Sequence, residues 1–301
     1  MDEKTKQTYA FLKEALLKRL PKQAQALSAV KGLMFSRYNE NSNPERCFYQ
    51  PMIAVLIQGW KRAMIGNKEY SYGEGSCIVV GVDMPGVSHI TEASPEHPFL
   101  SISIKLDPYI IIQLLAEAPH LNGQSGNSPS AVFVSEITDE ILDAFLRLVK
   151  LLDNPAHIPI LAPLIVREIH YRVLVSPLLG DCLRMANTIG TRANQIARSI
   201  SWLREHYREP LRIKNLAHMI NMAPATFHRH FQQVTTLSPL QFQKCLRLYE
   251  AERLILLEGK NANTAALEVG YESVSQFNRE YKRLFGAPPL QDLNKKRSGF
   301  L

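Results

Sequence analysis

The 301-residue chain is 46% hydrophobic and 21% charged, the composition of a globular protein long enough for two domains. No apolar run reaches the roughly 18 residues that a membrane-spanning helix needs, and the N-terminal residues lack the order of a signal peptide. We therefore expect a cytoplasmic protein with no membrane partner. Four widely separated cysteines without metal-ligand spacing predict reduced thiols, and they favour neither a zinc site nor a disulfide framework.

Charge is distributed unevenly along the chain. Residues 1–190 carry 18 Lys and Arg against 19 Asp and Glu, whereas residues 191–301 carry 17 against 9. The net charge of +7 therefore comes from the last third of the sequence. A basic domain joined to a near-neutral one is typical of a protein that binds a polyanion, because neutralised phosphates release their counterions. Charge alone leaves DNA, RNA and anionic lipid open as partners.

The first two thirds of the chain mix helix and strand patterns. Residues 5–20 have helical spacing and stop at Pro21. β-branched or alternating runs then predict strands at 52–58, 68–72, 77–82 and 99–106. Turns are predicted between them, for example at Gly66-Asn67 and Pro85-Gly86. A loop at 122–129 and helices at about 136–152 and 160–175 complete a section that we expect to be an antiparallel β-domain with flanking helices.

The last third is helical, and its pattern repeats. Residues 217–231 read AHMINMAPATFHRHF and residues 266–281 read ALEVGYESVSQFNREY. Ala217 corresponds to Ala266 at an offset of 49, whereas Phe227 corresponds to Phe277 at an offset of 50, so the second turn is one residue longer. A small residue at the crossing of two short helices joined by a tight turn is typical of a helix-turn-helix unit. The sequence therefore predicts two such units in tandem.

The second helix of each unit, at about 224–235 and 274–285, is the predicted recognition helix. Each pairs an apolar inner face with a polar outer face, and Arg, Asn and Gln side chains match the hydrogen-bonding pattern of base edges in the major groove. The residues expected to contact DNA are Thr226, His228, Arg229, Gln232, Ser275, Gln276, Asn278, Arg279 and Lys282. Any of them could instead be solvated helix surface. Arg229 and Arg279 are the strongest candidates because they recur at equivalent positions.

A long helix is predicted between the two units. Ser238 is a good N-cap, Pro239 suits the first helical position, and apolar spacing continues as far as Glu258-Gly259. About 20 residues at 1.5 Å each make roughly 30 Å of helix, which can set two recognition helices about one DNA turn apart. On this helix, Lys244 and Arg247 could contact phosphates, and Arg247 could equally tie the two units together through a carboxylate.

At these residues the chain resembles the DNA-binding domain of the AraC/XylS family. The matching segments are IKNLAHMINMAPATFHRHFQ, SPLQFQKCLRLYEAERLI and AALEVGYESVSQFNREYKRLFGAPP. The front section, including QPMIAVLIQGWK and YSYGEGSCIVV, is similar to the cupin-like N-terminal domain of one subset of that family. Asn221 departs from the second unit, which has glycine at that place in its turn.

The resemblance implies a regulator that responds to a small molecule, often an activator that binds double-stranded promoter DNA beside RNA polymerase. It also implies a homodimer held through the N-terminal part and a place on chromosomal DNA in the cytoplasm. The expected fold is α+β: residues 1–185 form a cupin-like antiparallel β-barrel with flanking helices, which senses the effector and dimerises. Residues 186–301 form an all-α domain of two helix-turn-helix units. The helix at 160–175 is apolar on more than one side, so it is either fully buried or paired with its twin, and the family habit favours pairing.

The barrel offers a candidate effector pocket that combines aromatic and polar groups. Its candidate residues are Trp60, Tyr70, Tyr72, Cys77 and His89. Cys77 could sense electrophiles, although a cysteine among apolar neighbours is more often inert packing.

Evidence for chemistry in the barrel is weak. A cupin metal site at His89 and His97 is disfavoured because the closely spaced histidine pair is missing, and no serine has the glycine pattern of a nucleophile elbow. We therefore expect no metal, no cofactor and no enzymatic activity. Two alternatives stay open: a cupin-type enzyme fused to a DNA-binding tail, and an architectural DNA binder with little sequence preference.

Overall fold

A computed structural model describes residues 3–21, 24–66, 68–121, 131–188 and 190–292, and it confirms the α+β class. The chain divides into two compact units. The N-terminal domain comprises Met1–Glu45 and Tyr49–Asn194, and the C-terminal domain comprises Arg46–Phe48 and Gln195–Leu301. The predicted loop at 122–129 lies outside the described residues, as does Asn67 of the predicted turn. No helix in the described ranges is both long and apolar enough to span a membrane.

Strands occupy the region between residues 24 and 136. They are β1 (Ala24–Leu27), β2 (Leu33–Tyr38), β3 (Glu45–Tyr49), β4 (Met52–Gln58), β5 (Trp60–Ile65), β6 (Lys68–Gly73), β7 (Ser76–Val80), β8 (Met84–Glu92), β9 (Phe99–Lys105) and β10 (Val132–Glu136). Five helices flank them in the described residues: α1 (Glu3–Arg19), α2 (Pro108–Glu117), α3 (Asp139–Leu151), α4 (Ile158–Val175) and α5 (Leu179–Asn187).

The strands form two sheets rather than one closed ladder. Within the described residues, the six-stranded sheet has the order β1-β2-β9-β4-β7-β10 and the four-stranded sheet has the order β3-β8-β5-β6. The chain passes from the first sheet to the second at Gly59, between β4 and β5. Gly59 has a φ of 81°, and a Cβ there would lie 2.6 Å from the Glu92 carbonyl oxygen, so only glycine fits this corner. In the described residues the predicted barrel is therefore not closed: its strands form two separate sheets.

One strand contradicts a turn that the sequence predicts. Pro85-Gly86 lies inside β8, where Gly86 pairs with Ile65 of β5. A Cβ on Gly86 would lie 2.9 Å from both the Met64 carbonyl oxygen and the Tyr49 ring. The glycine therefore permits close approach of neighbouring chain within the sheet, and it does not form a hairpin turn.

The main core of the N-terminal domain lies between the six-stranded sheet and the helices. Ile53, Val55 and Cys77 of the sheet belong to one buried cluster with Phe145 of α3 and Ile169 of α4. The four-stranded sheet reaches the six-stranded sheet through the Tyr70 hydroxyl, which donates a hydrogen bond to the Val132 carbonyl oxygen at 3.4 Å.

Helix α5 belongs to the N-terminal domain. Its Leu179, Cys182 and Leu183 are buried in the same cluster as the sheet and α4. The division between the two compact units accordingly falls after α5, between Asn194 and Gln195.

The C-terminal domain is helical in its described residues beyond Gln195. Its helices are α6 (Arg192–Glu205), α7 (Ile213–Met219), α8 (Pro224–Thr235), α9 (Pro239–Leu257), α10 (Ala262–Glu268) and α11 (Val274–Phe285). Helix α9 is the predicted long helix, and Ser238 and Gln241 form a reciprocal capping box at its start. The bounds of α8 and α11 coincide with the two predicted recognition helices.

Candidate DNA-binding surface

Two helix-turn-helix units are present. The first consists of α7, a turn at 220–223 and α8, and the second consists of α10, a turn at 269–273 and α11. The second turn is one residue longer, as the sequence predicts. Ala217 and Ala266 are fully buried where the helices of each unit meet, so a larger side chain would force the helices apart.

Aromatic packing holds the inner face of each recognition helix. Phe231 of α8 lies edge-on to Phe242 of α9, with ring centroids 5.4 Å apart. In α11, Phe277 and Tyr281 are fully buried, and the Tyr281 hydroxyl donates a hydrogen bond to Asp292 at 3.0 Å. These contacts set which face of each helix remains exposed.

The outer faces present the predicted DNA-contacting residues. Thr226 is partly buried, and the other eight are exposed: His228, Arg229, Gln232, Ser275, Gln276, Asn278, Arg279 and Lys282. Gln276 donates a hydrogen bond to Glu280 at 3.2 Å. Neither Arg229 nor Arg279 forms an ion pair with any residue that the structure describes, so both guanidinium groups are available to an outside acceptor.

Lys244 forms an ion pair with Glu280 within the C-terminal domain. Its Nζ lies 2.6 Å from a carboxylate oxygen of Glu280, whose other oxygen accepts a hydrogen bond from the Tyr271 hydroxyl at 2.8 Å. Burial alone would raise the pKa of the Glu280 carboxyl, but the hydrogen bonds from Lys244, Tyr271 and Gln276 outweigh it and lower the pKa. Lys244, considered above as a phosphate contact, thus has an ion-pair partner within the domain.

Arg247 ties segments together through backbone carbonyl oxygens instead of a carboxylate. Its Nε donates to Tyr207 at 2.6 Å and its Nη1 donates to Gly270 at 2.7 Å. Its Nη2 donates to Arg208 and to Glu209, each at 3.0 Å. Arg247 therefore connects the two units as predicted, but through backbone carbonyl oxygens. Every residue has such an oxygen, so the sequence could not identify these acceptors.

The sequence interpretation missed α6, and it treated α9 as a spacer and not as the first helix of the second unit. Helix α6 precedes the first unit as α9 precedes the second, and their buried positions correspond at an offset of 52. The corresponding pairs are Ile196 with Leu248, Ser199 with Ala251, and Leu203 with Ile255. The small residues Ser199 and Ala251, both fully buried, were the available signal. The repeat is therefore one of three-helix units.

The candidate effector residues lie in three different places. Tyr70 and Tyr72 lie on one face of the four-stranded sheet, because alternate residues of a strand share a face. Trp60 pairs with Gly73 and His89 pairs with Arg62, which places both on the opposite face. Cys77 lies in the other sheet, inside the core shared with the helices. The five residues therefore do not line a common pocket.

Burial also affects the chemistry of Cys77. The side chain is fully buried, and this burial raises the pKa of its thiol to about 12. Its position indicates packing instead of electrophile sensing.

An open surface pocket of about 500 Å³ lies between α2 and α4. It is lined by Leu114, Glu117, Ala118, Leu164, Arg167, Glu168 and Tyr171. Arg167 and Glu117 form an ion pair across it at 2.6 Å. None of the five predicted effector residues lines this pocket. Within the described residues, no cluster of three or more His, Cys, Asp or Glu side chains could hold a metal ion.

Family comparison agrees with this architecture. Residues 29–180 match the model of the AraC-type transcriptional regulator N-terminus. The chain belongs to the AraC family. Residues 216–295 of this AraC-family protein match a helix-turn-helix domain model, which covers α8 to α11.

Relatives of this AraC-family protein include two regulators matched over different lengths. The thermoregulatory protein LcrF of Yersinia pestis is 23% identical over 245 residues, which covers 80% of this chain and 88% of LcrF. The transcriptional activator RhaS of Escherichia fergusonii is 26% identical over 126 residues, 42% of this chain and 44% of RhaS. The chain spans about a third of the length of several other curated relatives that it matches.

A solved structure shares the fold of this AraC-family protein across both domains. ToxT from Vibrio cholerae is similar over 87% of this chain and 98% of its own, with a TM-score of 0.61 and 10% sequence identity. At 10% sequence identity, this similarity establishes the fold alone.

Proposed function

We propose that this AraC-family protein binds double-stranded promoter DNA sequence-specifically and activates transcription in response to a small molecule. One observation carries the proposal: α8 and α11 expose Arg229 and Arg279 at equivalent positions, and neither guanidinium has an ion-pair partner among the described residues. A bidentate arginine is the commonest specific contact to guanine in the major groove. The basic excess of residues 191–301 would supply the sequence-independent part of the affinity.

The remaining predicted contacts fit this arrangement. His228, Gln232, Ser275, Gln276, Asn278 and Lys282 share the exposed faces of the recognition helices with the two arginines, and Thr226 lies at the edge. Helix α9 contains 19 residues, about 28 Å at 1.5 Å per residue, so the two helices can enter successive major grooves on one face of the duplex.

The proposed activator role follows the family and the activator RhaS, and it implies RNA polymerase as a partner at the promoter. We also propose a homodimer, located with chromosomal DNA in the cytoplasm. Helix α4 supports the dimer because it exposes four large hydrophobic side chains: Ile160, Leu161, Leu164 and Tyr171.

The N-terminal domain is the proposed site of the effector. Binding there would alter dimer geometry and hence which half-sites are occupied, provided that the effector favours one of two arrangements. The pocket between α2 and α4 is a candidate, since Arg167 and Glu117 offer charged groups beside apolar Leu114 and Leu164.

Selection of random duplex DNA by the full-length protein tests the proposal. We expect enrichment of two short motifs about one helical turn apart, with an affinity about a thousandfold above that for random DNA at physiological salt. Equal affinity for selected and random DNA would indicate an architectural binder instead. Metal analysis of the same preparation separates the regulator from a cupin-type enzyme with a DNA-binding tail.

A further inference from the structure

In each three-helix unit, one side chain of the first helix donates a hydrogen bond to the turn between the second and third helices. In the first unit, Gln195 of α6 donates a hydrogen bond from Nε2 to the Ile220 carbonyl oxygen at 2.8 Å. In the second unit, Arg247 of α9 donates from Nη1 to the Gly270 carbonyl oxygen at 2.7 Å. Gln195 and Arg247 correspond at the offset of 52 that relates the two helices, so the pair is part of the repeat.

These hydrogen bonds act where the angle between the two helices is set. Ile220 directly precedes Asn221, and Asn221 and Gly270 are the residues of the two turns that have positive φ. When a side chain of another helix donates a hydrogen bond to this carbonyl group, it restrains the peptide plane next to the residue with positive φ. Fixing that plane fixes the direction in which the recognition helix leaves the turn.

Arg247 has contacts for which Gln195 has no counterpart. Its remaining donors hold the carbonyl oxygens of Tyr207, Arg208 and Glu209, in the segment between α6 and α7. Helix α6 belongs to the first three-helix unit, so one guanidinium connects the turn of the second unit to the end of the first. These carbonyl oxygens accept charge-assisted hydrogen bonds from the guanidinium, which has no carboxylate hydrogen-bond partner in the described residues.

We infer that Gln195 and Arg247 are positioning residues for DNA recognition: Gln195 sets the direction of α8, and Arg247 sets the direction of α11 relative to the first unit. Neither residue needs to touch DNA. The inference rests on the proposed DNA-binding function. It predicts that recognition of the first half-site depends on Gln195 and that recognition of the second depends on Arg247.

The experiment measures how much each half-site contributes to binding. The full-length protein is titrated with the selected DNA, and then with the same DNA after scrambling the first or the second half-site. For the wild-type protein, each scrambling is expected to weaken binding at least tenfold. Arg247→Lys keeps the charge but lacks the planar fork that reaches four carbonyl groups. We expect it to reduce the penalty for scrambling the second half-site to under about threefold while the penalty for the first remains.

Gln195→Leu provides the mirror-image test, because it removes the amide donor at similar size. We expect it to abolish the penalty at the first half-site and to preserve the penalty at the second. Gln243→Leu is the matched control. Gln243 donates to the Tyr207 and Glu209 carbonyl oxygens as Arg247 does, but Gly270 is not among its partners, so both penalties should persist.

Circular dichroism and thermal unfolding establish that each variant is folded, and Gln195→Leu decides the inference alone if Arg247→Lys fails to fold. The inference is overturned if folded Gln195→Leu or folded Arg247→Lys keeps both penalties or loses both equally. A wild-type protein that selects no DNA motif would instead overturn the proposed function, and the inference with it.

Discussion

Asn221 and Gly270 occupy corresponding places in the two helix-turn-helix turns, and both have left-handed backbone conformation, with φ of 55° and 91°. Asparagine is among the few residues with a side chain that tolerate this region, whereas glycine adopts it without strain. The second turn has a further requirement, since a Cβ on Gly270 would collide with the Arg208 carbonyl group. The apparent departure of Asn221 from the repeat is therefore a second solution to the same backbone demand.

Replacing Gly270 should be more destabilising than replacing another glycine with positive φ. Gly270→Ala adds a steric collision to the left-handed strain, and we expect a loss of at least about 2 kcal/mol in the free energy of unfolding. Gly259→Ala is the control, because Gly259 has a φ of 68° and nothing within 4 Å of the added Cβ, so it should lose only about 1 kcal/mol. Urea unfolding of the full-length variants measures both values. Equal losses would show that the Arg208 carbonyl group yields without cost.

Truncation of the recognition arginines should alter specificity. Arg229→Ala and Arg279→Ala should each cost about 1–3 kcal/mol on the selected site and relax the preference at one base pair, with little effect on random DNA. Lys282→Ala should weaken binding to all sequences and lower the salt slope by about one. Arg253→Ala is the control for loss of charge, since Arg253 of α9 forms ion pairs with Glu250 and with Glu258, which directly follows the helix. Titrations at several salt concentrations distinguish these outcomes. Equal losses on specific and random DNA would assign the arginines to phosphates.

A charge on the exposed face of α4 should disrupt the proposed dimer. Leu164 is 61% exposed, and Leu164→Asp would bury an unpaired carboxylate in an interface formed by α4 and its twin. We expect sedimentation to show a dimer for the wild type and a monomer for this variant. Leu257→Asp alters a leucine of α9 that is 77% exposed, and it should leave the dimer intact. If Leu164→Asp remains dimeric, the interface lies elsewhere.

Stability should fall on acidification because of His170. This fully buried side chain accepts a hydrogen bond from the Asp107 backbone N–H at 3.0 Å through Nε2, while its Nδ1 lies 2.8 Å from the Val166 carbonyl oxygen. Burial lowers its pKa, and this outweighs the opposing effects of Val166 and Asp107. The unfolded state then binds more protons below the ordinary histidine pKa of about 6.5, so the free energy of unfolding decreases as pH falls through that value.

Urea midpoints between pH 5 and 8 measure this effect. His170→Gln should be less stable at neutral pH but should show a shallower loss between pH 7 and 5. His97→Gln changes an exposed histidine and should follow the wild-type profile. A His170→Gln variant with the wild-type slope would place the acid sensitivity in another group.

The recognition helices were predictable because their signals are local. Helices α8 and α11 combine helical spacing of Phe227, Phe231 and Phe277 with turns on both sides, and Ser238-Pro239 marks the start of α9. Duplication reinforced each signal, since the same spacing occurs twice. These features depend on residues within a few positions of one another, which the sequence displays directly.

The effector residues show where such reasoning stops. Whether Trp60 and Tyr72 share a face depends on the strand register, because neighbouring positions on a strand point to opposite sides. The close approach of Gly86 to Tyr49 and the carbonyl partners of Arg247 likewise arise from tertiary pairing. Backbone acceptors carry no residue identity, so no pattern of side chains could have revealed the four that surround Arg247.

In the proposed mode of DNA binding, the length of α9 constrains where operators can occur. A helix of 19 residues holds the two recognition helices at a fixed separation, and the major groove returns to the same side of the duplex once per turn. The spacing between half-sites is consequently a matter of rotational phase: an insertion of about half a turn places the second motif on the far side of the DNA, whereas base changes within the spacer leave the phase untouched. A genome search for target promoters should therefore treat the spacer length as fixed and its sequence as free.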